Sequence, residues 1–186
     1  MESNIQSFTK EVEISDFVEN CVDIDYFLDC CSKCPNYGKT WSCPPYDFNP
    51  LDYWNQFKTF HIIAKKIVTP PELLEKTYEL DDLIRIGGQL TRQASVVFED
   101  EVAVLLEQFP GSKTLGSGSC RVCGEDNCAR KFGHPCRFPD KMNYSIESLG
   151  GNVEITLKRY FNEGIYWGKD GHLAPSYIKV GGILKK

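Results

Sequence analysis

The sequence predicts a mixed α/β (α+β) fold, with a sheet of about four strands and packed helices, from three observations along its 186 residues. Short runs alternate apolar and polar residues or are apolar throughout, as strands require. One long stretch repeats apolar residues at three- and four-residue spacing, as an amphipathic helix requires. Two stretches rich in cysteine, proline and glycine interrupt these elements and read as loops. Strands and helices that alternate in this way form a layered sheet. At this length one domain over 1–186 is expected, with cysteine loops at about 30–46 and 119–140.

Residues 8–14 alternate and predict a half-buried strand. Ser15 or Asp16 can cap a helix that continues through Phe27 and Leu28 toward Cys30. Residues 51–57 predict a short helix. Residues 59–69 (TFHIIAKKIVT) predict a central strand, because the first half is apolar on both faces, with His61 as a core residue. Pro70 and Pro71 suit a helix start, and the pattern is helical to Phe109. Leu83, Leu90, Ala94, Val97, Phe98, Val102, Leu105 and Phe109 form its stripe, with Gly87-Gly88 as a kink or a point of close packing. Residues 113–118 predict a short strand. Ser145 is expected to cap the next helix, with Glu147 against its dipole. Residues 176–184 predict the last strand.

Net charge is −5 with a pI near 5.3, which gives no global footprint for nucleic acid or an anionic membrane. The opening residues lack the apolar region of a signal peptide, and no run approaches the roughly 20 apolar residues of a membrane span. A cytoplasmic location is therefore expected, with neither nucleic acid nor membrane as partner. In that reducing setting nine cysteines do not serve as structural disulfides, and metal binding or thiol chemistry remains.

The second loop reads Cys120, Cys123, Cys128, Cys136, a C-x2-C-x4-C-x7-C set of four thiols within 17 residues. The short spacing lets Cys120 and Cys123 take adjacent positions around one small centre. The turn between them aims backbone N–H groups at the sulfurs. The first loop offers Cys30 or Cys31 with Cys34 and Cys43. Pro35 and Pro44 directly follow two of these cysteines, and a Cys-Pro pair turns the chain away after a ligand, as in ferredoxin-type sites. Three thiolates suit a four-iron cluster with one open iron; Cys31 or Cys21 could close it. Thiolate-only ligation fits zinc as well as iron–sulfur clusters. Both loops carry a local charge of +2, from Lys33 and Lys39 over 30–46 and from five basic against three acidic residues over 120–141. That charge fits a bound thiolate centre, a solvated surface or the landing site of an anion. Tyr37, Trp41 and Tyr46 are expected to wall the first site from water.

The segments CSKCPNYGKTWSCPPY, CRVCGEDNCARKFGHPCRFP and SIESLGGNV, in that order, resemble a family of predicted metal-binding proteins. These are small cysteine-rich proteins of bacteria and archaea, classed as a domain of unknown function. The resemblance implies that Cys30, Cys34, Cys43, Cys120, Cys123, Cys128 and Cys136 are the ligand positions. Ile146 stands where Met is expected, and Cys31 is an additional cysteine.

The leading expectation is a protein with one or two iron–sulfur clusters of the [4Fe-4S] type, in an electron-transfer or redox accessory role. A redox protein would then be its partner. The alternatives are an enzyme that uses an open iron for desulfuration or dehydration of a small anionic substrate, and a structural zinc protein.

Overall fold

Alternation in the sequence becomes a five-stranded mixed sheet in the computed structural model, which describes residues 5–124 and 126–186. The strands are β1 (Ile5–Glu13), β2 (Thr59–Val68), β3 (Lys113–Gly116), β4 (Tyr144–Ser145) and β5 (Ser176–Lys185), in the spatial order β1-β2-β5-β3-β4. All neighbours run antiparallel except β3 and β4, which are parallel. The strand beyond the expected four is β4, whose two residues pair Leu115 with Tyr144 and Gly116 with Ser145. So short a strand has no readable alternation.

Among the described residues six α-helices pack around the sheet: α1 (Ile14–Cys21), α2 (Ile24–Ser32), α3 (Pro50–Trp54), α4 (Pro71–Leu74), α5 (Leu80–Gln108) and α6 (Val153–Phe161). None is long and apolar enough to cross a membrane.

β2 is interior and apolar on both faces, as its sequence predicts. Phe60, Ile62 and Ala64 enter the main core with Phe17, Trp54, Leu157 and Leu184. Ile63 and Ile67, on the opposite face, meet Phe98, Val102, Leu90 and Ala94 of α5. Each such side chain, fully buried, contributes about 1.5–3 kcal/mol. His61 is not core: its side chain keeps 21% of its exposure and lies 3.6 Å from Glu11. Gly182 of β5 is required by its neighbours. It has a φ of +147°, and a Cβ there would stand 1.9 Å from the His61 carbonyl oxygen.

Several boundaries differ from expectation. The helix over 15–30 is two helices, because Asp23 caps α2 by accepting from the Tyr26 N–H at 3.1 Å, and Val22 bridges Gly151. Cys30 and Cys31 consequently lie on the last turn of α2 rather than in a loop. The helix over 71–109 is broken between α4 and α5, where the Tyr78 N–H donates to Gly171 at 2.8 Å. α5 runs unbroken through Gly87, whose missing Cβ makes room for the Tyr177 hydroxyl, so that glycine serves close packing. Val97 and Phe109 of the expected stripe are exposed. Ser145 caps no helix. Its hydroxyl accepts from the Ser148 N–H while the Ser148 hydroxyl accepts from the Ser145 N–H, and this pair closes a turn instead. The cap of α6 is Asn152, which accepts from the Ile155 N–H at 2.9 Å.

Candidate metal centre

The fold brings the two cysteine loops against each other. The first leaves the end of α2 and runs to α3. The second spans β3 to β4, whose parallel pairing ties its two ends together.

The first loop is a series of tight turns. Lys33 and Cys34 donate their N–H groups to Cys30 and Cys31, Tyr37 donates to Cys34, and Cys43 donates to Thr40, at 3.0–3.2 Å. Gly38, at a φ of +68°, donates to the Pro44 carbonyl at 2.7 Å and closes the loop. Cys30 and Cys34 are exposed, whereas Cys31 and Cys43 are half-buried. Burial pushes the Cys31 thiol up to about 11, and the charges of Cys43, Cys34, Glu147 and Cys30 add to it.

In the second loop Cys120, Cys123, Cys128 and Cys136 all line one cavity. Its other walls are Val122, Phe138 and Met142, together with Trp41 and Ser42 from the first loop. Trp41 was expected to wall the first site and instead walls the second. The backbone turns here through Gly124, whose N–H donates to Arg121 at 2.9 Å, and through a 3-10 turn at Ala129–Phe132 that ends on Gly133. Among the described residues, no group of three or more Cys, His, Asp or Glu is gathered so as to hold a single metal ion.

Polar contacts stitch the loops together. The Arg130 guanidinium donates to the carbonyls of Thr40 at 2.9 Å, Cys43 at 2.5 Å and Pro45 at 2.6 Å. It also lies 5.0 Å from the Trp41 ring, a cation–π distance. The Trp41 indole donates to the His134 carbonyl at 3.0 Å. The Cys120 N–H donates to the buried Ser42 hydroxyl at 2.9 Å. Asn36 donates to Ser119 at 3.3 Å. Tyr46 donates to the Ser42 carbonyl at 2.8 Å and is pushed up by burial.

Much of the positive charge of the loops is thus engaged. Arg130 clamps the first loop, Lys131 pairs with Asp126, Lys33 pairs with Asp29, and Arg137 donates to the Asn127 carbonyl. Glu125 lies outside the described residues. Cys21 is buried in the main core, away from both loops, where burial raises its thiol. Sequence reasoning missed Ser42 and gave Arg130 no role beyond charge. A serine beside a ligand cysteine and an arginine inside a cysteine loop carry no periodic signal, and only the meeting of the loops reveals them.

The sulfur-only donor set has the chemistry of a thiolate-bound metal group, although its described thiols are not gathered around one ion. It offers eight sulfurs in two adjacent groups, one lining an apolar-walled cavity with neither histidine nor carboxylate among its walls. A family model described as "Predicted metal-binding protein (DUF2284)" matches residues 17–184, a span that holds both loops. No curated protein and no solved structure matches the chain.

Proposed function

The chain belongs to this predicted metal-binding family, and from that premise we propose that its two loops hold iron–sulfur clusters of the [4Fe-4S] type in an electron-transfer or redox accessory role. The observation that carries the reading is the single cavity lined by Cys120, Cys123, Cys128 and Cys136 and walled by Trp41, Val122, Phe138 and Met142. Such walls exclude water from the sulfurs and thereby tune a potential. The cluster, when bound, supplies one-electron redox chemistry.

The remaining residues hold the ligands still. Arg130 and Ser42 fix the two loops against each other, which supports electron passage between adjacent centres with little rearrangement. Cys31, beside Cys30 on the last turn of α2, supports a fourth sulfur in the first set and thus a closed cluster. A closed pair favours a redox protein as partner over a small anionic substrate, and exposed Val122, Phe132 and Phe138 give that partner an apolar landing near the cysteines. A thiolate-bound group of this kind supports a reducing compartment such as the cytoplasm.

Anaerobic purification tests the reading. It should yield a broad absorption near ~400 nm, with iron and acid-labile sulfide in cluster stoichiometry. Cys123→Ser should lower the iron content by about half, with one cluster lost of two. Zinc bound under the same conditions, with no iron or sulfide, overturns the proposal in favour of a structural zinc protein. Chemistry on a small anionic substrate would require that Cys31→Ser leave the iron content and spectrum of the first site unchanged.

A further inference from the structure

A second candidate site lies away from the cysteine cavity, at the open edge of β5. β3 pairs only with the far end of β5, from Gly182 to Leu184. Among the described residues no strand pairs with 176–180 on that side. A cavity of about 260 Å³ occupies this gap, lined by Glu147, Val153, Ile165, Ile178 and Val180, with Tyr166 and Trp167 also on its wall. Its size is just under the roughly 300–1,000 Å³ of sites that take drug-sized molecules, so it suits a smaller one.

Glu147 gives the cavity its chemistry. Its Oε2 atom is shielded from solvent and has no hydrogen-bond partner among the described residues. Burial raises its carboxyl, against the lowering effect of its own N–H and of Ser145. A buried polar atom left without a partner is destabilising, a penalty that a ligand's donor removes on binding.

The aromatic residues supply the second half. Trp167 is 82% exposed and Tyr166 is 51% exposed, although both line a cavity whose other walls are largely apolar. An exposed indole and phenol beside a buried carboxyl form the pair of features that recognises an organic cation. The ring faces attract the ammonium and cover an apolar body, while the carboxylate takes the N–H.

The geometry points to a binding site for a small flat organic amine: its ammonium on Glu147 Oε2, its apolar body against Val153, Ile165, Ile178 and Val180, and its outer face under Tyr166 and Trp167. The open edge of β5 offers further backbone groups to the ligand's polar substituents. Glu147 also stands within electrostatic reach of Cys31, so the site borders the first cysteine loop and its titration is made on the metal-loaded protein.

Calorimetric titration of the full-length, metal-loaded protein with phenethylamine and with tryptamine tests the inference. At least one of the two should bind saturably at one equivalent. Phenethyl alcohol, of the same shape without the cation, should bind at least tenfold more weakly than phenethylamine. Glu147→Gln keeps the shape of the side chain and should weaken amine binding at least tenfold, with the far-UV spectrum unchanged. Should Glu147→Gln fail to fold, Trp167→Ala, at an exposed position, should still weaken the amine several-fold. The inference is overturned if neither amine binds, if the alcohol binds as well as the amine, or if both variants that fold bind it like the unaltered protein.

Discussion

Arg130 joins three carbonyls of one loop to the 3-10 turn of the other with a single side chain. The planar guanidinium suits this task because its donors point in fixed, diverging directions, whereas a lysine ammonium is a point charge on a flexible stem. Arg130→Lys should therefore keep the charge and lose the clamp. The expected loss is about 2 kcal/mol of stability, together with faster proteolysis within 30–46 and 119–140. Unfolding in denaturant and limited digestion measure both, and a Lys variant as stable and protease-resistant as the unaltered protein would refute the clamp. At this scale the cysteines were legible because their spacing is short and local. The Ser42 hydroxyl was not, since its partner is the Cys120 N–H, 78 positions away.

Elements are held by pairings that the pattern of each one does not announce. Lys65 of β2 sits fully buried, at 1% side-chain exposure, against Ser7 of β1 and Glu101 of α5, which keeps 31%. The asymmetry decides which substitution is worse. Glu101→Gln leaves an ammonium in the core with neutral acceptors and no counter-charge and should destabilise by about 2–3 kcal/mol. Lys65→Met removes the buried charge and leaves a carboxylate that water can reach, so its loss should be smaller. Denaturant midpoints of the two variants decide the order, and the reverse order would sink the argument. A second pairing joins α1 to α6. The Tyr160 hydroxyl donates to Asp16 at 2.6 Å and Arg159 donates at 2.9 Å, and together they hold the carboxyl below the usual aspartate value of 3.8. A depressed carboxyl stabilises the fold above its unfolded value, and that contribution fades as pH falls through 3.8 toward the lower folded value. Unfolding midpoints at about pH 6 and about pH 3 should differ more for the unaltered protein than for Asp16→Asn. Equal differences would show that Asp16 has no part. The strands β2 and β5 and the helix α5 were readable because each is long enough for its period to repeat. The break before α5 was not, because it depends on Gly171 accepting from Tyr78.

In the whole molecule the sheet and the cysteine loops are two layers of organisation with separate supports. Apolar burial on both faces of β2 holds the sheet, so it needs no metal. The loops have few apolar contacts and depend on turns, on Arg130 and on whatever their thiols bind. Stripping the bound metal with a chelator should therefore leave the far-UV spectrum nearly unchanged, while cleavage within both loops accelerates at least tenfold. Loss of the helix and strand signal on stripping would mean that the layers are not separate. The fold class was legible from periodicity, and the two cysteine loops from their spacing. The meeting of the loops was not, because it depends on where β3 and β4 place a segment about ninety residues downstream.

That separation along the chain also sets an order of events during synthesis. Arg130 is made 90 positions after Thr40 and 87 after Cys43. At roughly 5–20 residues per second, the first cysteine loop leaves the ribosome about 5–20 s before its clamp exists. Throughout that interval the first loop lacks the hydrogen bonds that Arg130 supplies to Thr40, Cys43 and Pro45, and only its own tight turns shape it. The last of its supports therefore forms only after most of the chain has been made.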